Sequence, residues 1–437
     1  MDMSYLVSKF LLLAALGAGI YLLLYYCFRR SIVSVSDPLH YTVLLVACYL
    51  AGALIIPSFY PLNQSYVYVI VLVGLYIVAG ILCSRPAASI KFPCLAVGKG
   101  PQLLFTASLT GLIALNLVVN QIFGVMPLLA GGQQARAESV PAPTLSLLSP
   151  DIGLLTLLVC LLTNIKSVRK LASLGIGISL VSTILGGSKS GIFSMLFIFF
   201  AADYVLNLKR VSSFGAVERM ELRKKIKATR RVAIISAVVI AALLPTYLVL
   251  VGASSETGAD SYVTMAVRLF GGFDGLAIIA AKNIDLTAMH DVSLSGFYFY
   301  PLLKKLSMTP QFQSAGSYLI YLITGSYQIA TSGLNPNSTF PIELLLANGS
   351  VVLSGIFVSL TAGGLFRLRG ALLEKGNLRM FDLVLWSLVV FGPFSMLLDG
   401  TYFVTRSYEF VGLYMVLNLG INALGWLLPG RKVFRLL

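Results

Sequence analysis

The chain has 437 residues, of which 57% are hydrophobic and 11% charged, with a mean hydropathy of +0.88 and a formal net charge of +15. Such values exclude a water-soluble globular protein, which needs far more charge to cover its surface. Nor does the positive charge indicate nucleic-acid binding: nine basic residues crowd into 209–231, beside an apolar segment, where anionic lipid headgroups account for them.

Taken in chain order, apolar runs predict membrane spans near 5–28, 41–60, 65–84, 101–121, 146–164, 171–187, 190–208, 232–252, 341–365, 381–398 and 402–424. Each approaches the roughly 20 residues that a helix needs to cross a bilayer. The first run is too long for a signal-peptide core and lacks a small-residue cleavage site, so it reads as a retained helix. If the spans alternate, 24 of the 32 Lys and Arg residues fall in loops of one parity, including Arg29, Arg30, Lys166, Arg367 and Arg369. By the excess of cations in cytoplasmic loops, that side is the inner one. The expected fold is an all-α polytopic membrane protein with about 11 (10–12) transmembrane helices, the N-terminus outside and the C-terminus inside.

Cysteine use agrees. Cys27, Cys48, Cys83, Cys94 and Cys160 all fall in spans or inner loops, so no disulfide framework or Cys/His metal spacing is expected. No Walker loop, GxGxxG turn or GxSxG elbow is present, which argues against nucleotide hydrolysis and serine-hydrolase chemistry. No cofactor and no metal is expected.

The eight cations left for the outer face are Lys9, Arg136, Lys189, Arg268, Lys282, Lys304, Lys305 and Arg406. Two outer loops are substantial. One, over 124–145, carries Arg136 and Glu138 among small residues. The other, over 253–340, holds Arg268-Leu-Phe-Gly-Gly-Phe-Asp274-Gly, His290 and the aromatic run Gly296-Phe-Tyr-Phe-Tyr-Pro301. Its apolar content predicts interfacial or re-entrant helices and a lid over an outward cavity, rather than disorder. Arg136 and Arg268 offer the planar fork that suits a diphosphate, and Lys189 sits in a Gly-Ser-Lys-Ser-Gly turn whose backbone N–H groups can face an anion.

Arg406 and Glu409 lie three residues apart, on one helix face inside the last span. Charges there face a cavity or each other. They form either a structural ion pair or an anion site with Glu409 as proton acceptor, with Asp151 a weaker candidate nearby. Asp274 and His290 are further candidates for the base, and Asp274 is also placed to pair with Arg268. Lys9 reads as a snorkelling residue.

Several of these features resemble Wzy-type O-antigen or oligosaccharide repeat-unit polymerases: the span order, Arg136 in the first sizeable outer loop, the Gly-Ser-Lys-Ser-Gly turn, the long Arg268-containing loop and the Asn335-Pro-Asn337-Ser-Thr entry to the next span. The resemblance implies a GT-C-like helical fold. It also implies metal-independent polymerisation of undecaprenyl-diphosphate-linked repeat units at the periplasmic face, with functional arginines at Arg136 and Arg268. A chain-length regulator is the partner it suggests, beside membrane lipid and the lipid-linked glycans. Two other readings stay open. An O-antigen ligase would use similar chemistry and a histidine such as His290, and a transporter or flippase would move the units rather than join them.

Overall fold

A computed structural model describes residues 3–58, 60–84, 90–91, 93–123, 143–185, 200–208, 274–288, 299, 315–324 and 338–427. The described chain is mostly helical. Its helices are α1 (Met3–Phe28), α2 (Pro38–Ile55), α3 (Gln64–Cys83), α4 (Lys99–Leu117), α5 (Pro143–Leu162), α6 (Lys166–Leu185), α7 (Asp274–Ala281), α8 (Ala315–Thr324), α9 (Phe340–Asn348), α10 (Val351–Glu374), α11 (Met380–Leu398) and α12 (Gly400–Leu427). A further helical stretch covers 200–208. Two short strands, β1 (Cys94–Leu95) and β2 (Asn377–Leu378), pair in parallel.

The protein is a multi-pass membrane protein. Among the described residues, five helices are long and apolar enough to cross a bilayer: Pro38–Ser58, Gln64–Cys83, Lys99–Ile122, Val351–Glu374 and Met380–Leu397. Their outward faces are apolar too. Val67, Val71, Val78 and Leu82 on α3, and Val352, Ile356 and Leu360 on α10, are all exposed at helical spacing, as lipid-facing stripes are.

Local signals set the helix starts. Asp37 precedes Pro38 and accepts the Leu39 N–H at 2.9 Å, and Asn63 accepts the Tyr66 N–H at 2.8 Å. One predicted span is corrected. The run 341–365 is two helices, because Gly349 adopts the left-handed conformation (φ 60°) that ends α9, and Ser350 caps α10. The membrane-crossing helix is therefore shifted to Val351–Glu374. Arg367 and Arg369, expected in an inner loop, lie on its last turns.

Two buried clusters form the core. One joins α1–α3 with α7–α10, around Tyr49, Tyr76 and Phe366. The other joins α4, α5, 200–208, α11 and α12, around Phe105, Tyr204 and Trp386. Lipid tails are as apolar as Leu, so close approach at small residues matters more than burial from water. A Cβ added at Gly175 would lie 2.7 Å from Thr110 Oγ1, and one at Gly80 would lie 2.9 Å from the Phe366 ring. These contacts bring α6 onto α4 and α3 onto α10.

The interhelix connections gather at two ends. At one, Arg369 is buried with Asp37: Nε donates to Oδ1 at 3.2 Å and Nη2 donates to Oδ2 and, at 2.9 Å, to the Ser31 carbonyl. Ser36 donates to Asp203 at 2.5 Å. Backbone bonds run from Lys91 to Leu373, Cys94 to Gly376 and Ala96 to Leu378, each at 2.9 Å. Arg29, Arg30, Lys91, Lys99, Lys166, Arg169, Lys375 and Arg379 belong to these connections, so this is the basic end. At the opposite end, the 274–288 segment folds against the start of α3: Asn63 Nδ2 donates to the Ile279 carbonyl at 2.9 Å, and the Leu286 N–H donates to Ser65 Oγ at 2.8 Å.

Candidate functional site at the end opposite the basic loops

Buried ionisable groups concentrate along the first three turns of α12. The helix opens where Gly400 meets the start of α9, and the Gly400 N–H donates to the Ser338 carbonyl at 3.0 Å. Asp399 accepts the Tyr402 N–H at 2.9 Å and so caps α12. Glu343, wholly buried on α9, receives three donors on Oε1: the Thr401 N–H (2.9 Å), the Thr401 hydroxyl (3.0 Å) and the Ser338 hydroxyl (2.9 Å). Burial, and then the nearby negative charge of Asp399, raise the Glu343 pKa well above the usual carboxylate range. Burial also raises Asp399, to about 6.

Further along α12, Arg406 Nη1 lies 2.8 Å from Asp151 Oδ2 of α5 and 3.1 Å from Glu409 Oε2. All three side chains are less than one-tenth exposed. The Tyr402 ring, one turn back, stands 4.8 Å from Arg406 Cζ in a cation–π contact. Phe299, from the long loop between 253 and 340, stacks on Tyr408 with ring centres 6.2 Å apart. One guanidinium facing two carboxylates leaves an odd charge.

The structure thus brings together Arg406, Glu409 and Asp151. Asp274 opens α7, which packs on α3. Arg136, Lys189, Arg268 and His290 lie outside the described residues. Sequence reading missed Glu343, which stands in an apolar run as its lone charge, and missed the Asp37–Arg369 pair, whose partners are 332 residues apart. The signal available for Glu343 was a carboxylate inside a predicted span, which is costly unless it is functional or paired. Among the described residues no group of three or more His, Cys, Asp or Glu is arranged to hold a metal ion.

No protein-family model, no curated protein and no solved structure matches the chain.

Proposed function

We propose that this protein is a glycosyltransferase of the bacterial inner membrane that polymerises undecaprenyl-diphosphate-linked repeat units at the periplasmic face. The observation that carries the reading is the placement of Arg406, Asp151, Glu409, Glu343 and Asp399 together at the end opposite the basic loops. In this reading that end faces the periplasm, toward the headgroup of a lipid-linked substrate. In this reading the bundle has about eleven spans, and the loop over 253–340 is a lid, of which Phe299 against Tyr408 is one contact.

The chemistry needs no metal. A hydroxyl of the acceptor glycan attacks the anomeric carbon of the donor sugar, and the bond from that carbon to the diphosphate oxygen breaks. Undecaprenyl diphosphate leaves with the electron pair. Arg136, Arg268, Lys189 and Arg406 hold the diphosphate and stabilise the charge that develops on it. Glu409 takes the acceptor's proton, with Asp274 or His290 the alternatives. Ligation to a lipid A core would use the same groups with a different acceptor.

The second reading is transport. It is favoured by the same cluster, because an arginine between two carboxylates inside a span also suits a proton relay. One experiment separates polymerisation from the other two: a gel of surface polysaccharide from a strain lacking the protein, complemented with wild type, Arg136→Ala or Glu409→Gln. Single attached units without the long ladder, not rescued by either variant, are the expected result. Loss of all attached units would point instead to a ligase or flippase, and an unchanged ladder would remove the glycan reading.

A further inference from the structure

A second polar cluster lies between α4 and α6, near the same end. Here α4 leaves α-helical geometry and makes a π turn over Val118–Ile122, and the Phe123 N–H donates to the Val118 carbonyl at 3.0 Å. Single π turns are rare and recur at functional sites. This one turns Asn120 and Gln121 into the protein, 1% and 3% exposed, while Ile122 and Phe123 point outward.

The bonds in the cluster do not close. Asn116 Nδ2 donates to Ser182 Oγ at 2.7 Å, and Gln121 Nε2 donates to the same oxygen at 3.0 Å and to the Ser182 carbonyl at 2.5 Å. Ser182 Oγ thus accepts twice, which leaves its own hydrogen to be donated. Gln121 Oε1 is buried without a hydrogen-bond partner among the described residues, and so is Ser179 Oγ, one turn along α6. Each such orphan costs on the order of 1–3 kcal/mol. What remains over is the Gln121 acceptor, the Ser182 hydrogen and the Ser179 hydroxyl, with no charge among the residues that form the cluster.

We propose that Gln121 Oε1 and the Ser182 hydroxyl bind a hydroxyl group of a polyol ligand. A hydroxyl can do both at once, donating to the first and accepting from the second. An anion would be repelled by the amide oxygen, and a carbonyl would leave that oxygen unpaired. Resting on the function proposed above, the ligand is the sugar joined directly to the lipid diphosphate. The cluster then distinguishes a glycan-bearing lipid from bare lipid diphosphate.

The test uses the full chain in lipid nanodiscs and native mass spectrometry. Two probes are compared: undecaprenyl diphosphate, and the lipid-linked glycan that accumulates in cells lacking the protein. Wild type is expected to prefer the glycan-bearing lipid. Gln121→Leu is expected to reduce that preference about five- to tenfold, one hydrogen bond's worth, with binding of the bare lipid unchanged. Ser182→Ala, which removes a single oxygen, should act in the same direction and guards against misfolding of the first variant. An undiminished preference in the folded variants would overturn the site and leave only a trapped water there. If no lipid-linked glycan accumulates, or wild type does not prefer it, the site falls together with the proposed function.

Discussion

Arg406 joins α12 to α5, with Nη1 2.8 Å from Asp151 on α5 and 3.1 Å from Glu409 one turn along α12. Removing one partner of a buried ion pair leaves an uncompensated charge, which typically costs about 3–5 kcal/mol. Arg406→Ala should therefore lower the thermal unfolding temperature strongly. The triple change Arg406→Met, Asp151→Leu, Glu409→Gln should regain most of it. Thermal unfolding in detergent checks this, and a single variant as stable as wild type would show that the cluster bears no structural load.

The carboxyls of Glu343 and Asp399 give a pH dependence of definite sign. Asp399 keeps its proton up to about 6 in the folded protein, against an ordinary 3.8, and Glu343 shifts in the same direction. The folded state thus binds more protons than the unfolded one across that window. Stability contributed by these groups is present below about pH 4 and is lost as the pH rises through about 6 and beyond. Unfolding temperatures measured from about pH 5 to about pH 7.5 should fall, and the fall should shrink in Glu343→Gln with Asp399→Asn. An identical slope in the double variant would assign the dependence to other groups.

Gly400 admits no side chain. A Cβ there would lie 2.7 Å from Phe340 Cα and 2.8 Å from Glu343 Cδ. Gly400→Ala must push α9 away from α12, with an expected loss of about 1–3 kcal/mol. Gly412 and Gly420, on the same helix, have open space around their Cβ positions and should tolerate alanine. Comparing the three alanine variants by detergent unfolding tests the contact directly.

At the basic end, Asp37 both caps α2 and neutralises Arg369. Asp37→Asn keeps an acceptor for the Leu39 N–H but loses the charge, whereas Asp37→Ala loses both. Alanine should be the worse of the two by about 1 kcal/mol, the usual worth of a cap. Equal losses would mean that the ion pair alone sets the cost.

What was legible in the amino-acid sequence was whatever averages over a span. Long apolar runs and the sorting of cations by loop parity give a multi-pass membrane protein, and the spans at 65–84 and 381–398 match α3 and α11 closely. The spacing of Arg406 and Glu409 on one helix face was also readable, because it is local. The break at Gly349 was not, since one left-handed residue in an apolar run hardly alters hydropathy. Arg369 looked like a loop cation because its partner, Asp37, is distant in sequence and only tertiary packing joins them. The π turn in α4 likewise leaves no composition signal. It shows only in the placement of Asn120 and Gln121.

The backbone bonds at the basic end bear on how the molecule can move. Three of them, from Lys91, Cys94 and Ala96 to the 373–378 segment, lash the chain entering α4 to the turn between α10 and α11, and the Arg369–Asp37 pair ties the start of α2 to α10. Any motion that keeps this lashing intact would pivot about it, a swing of the opposite end like the jaws of a clothes-peg. A catalyst fed from one side needs only that swing. A carrier that opens to each side in turn would have to undo the hinge in every cycle.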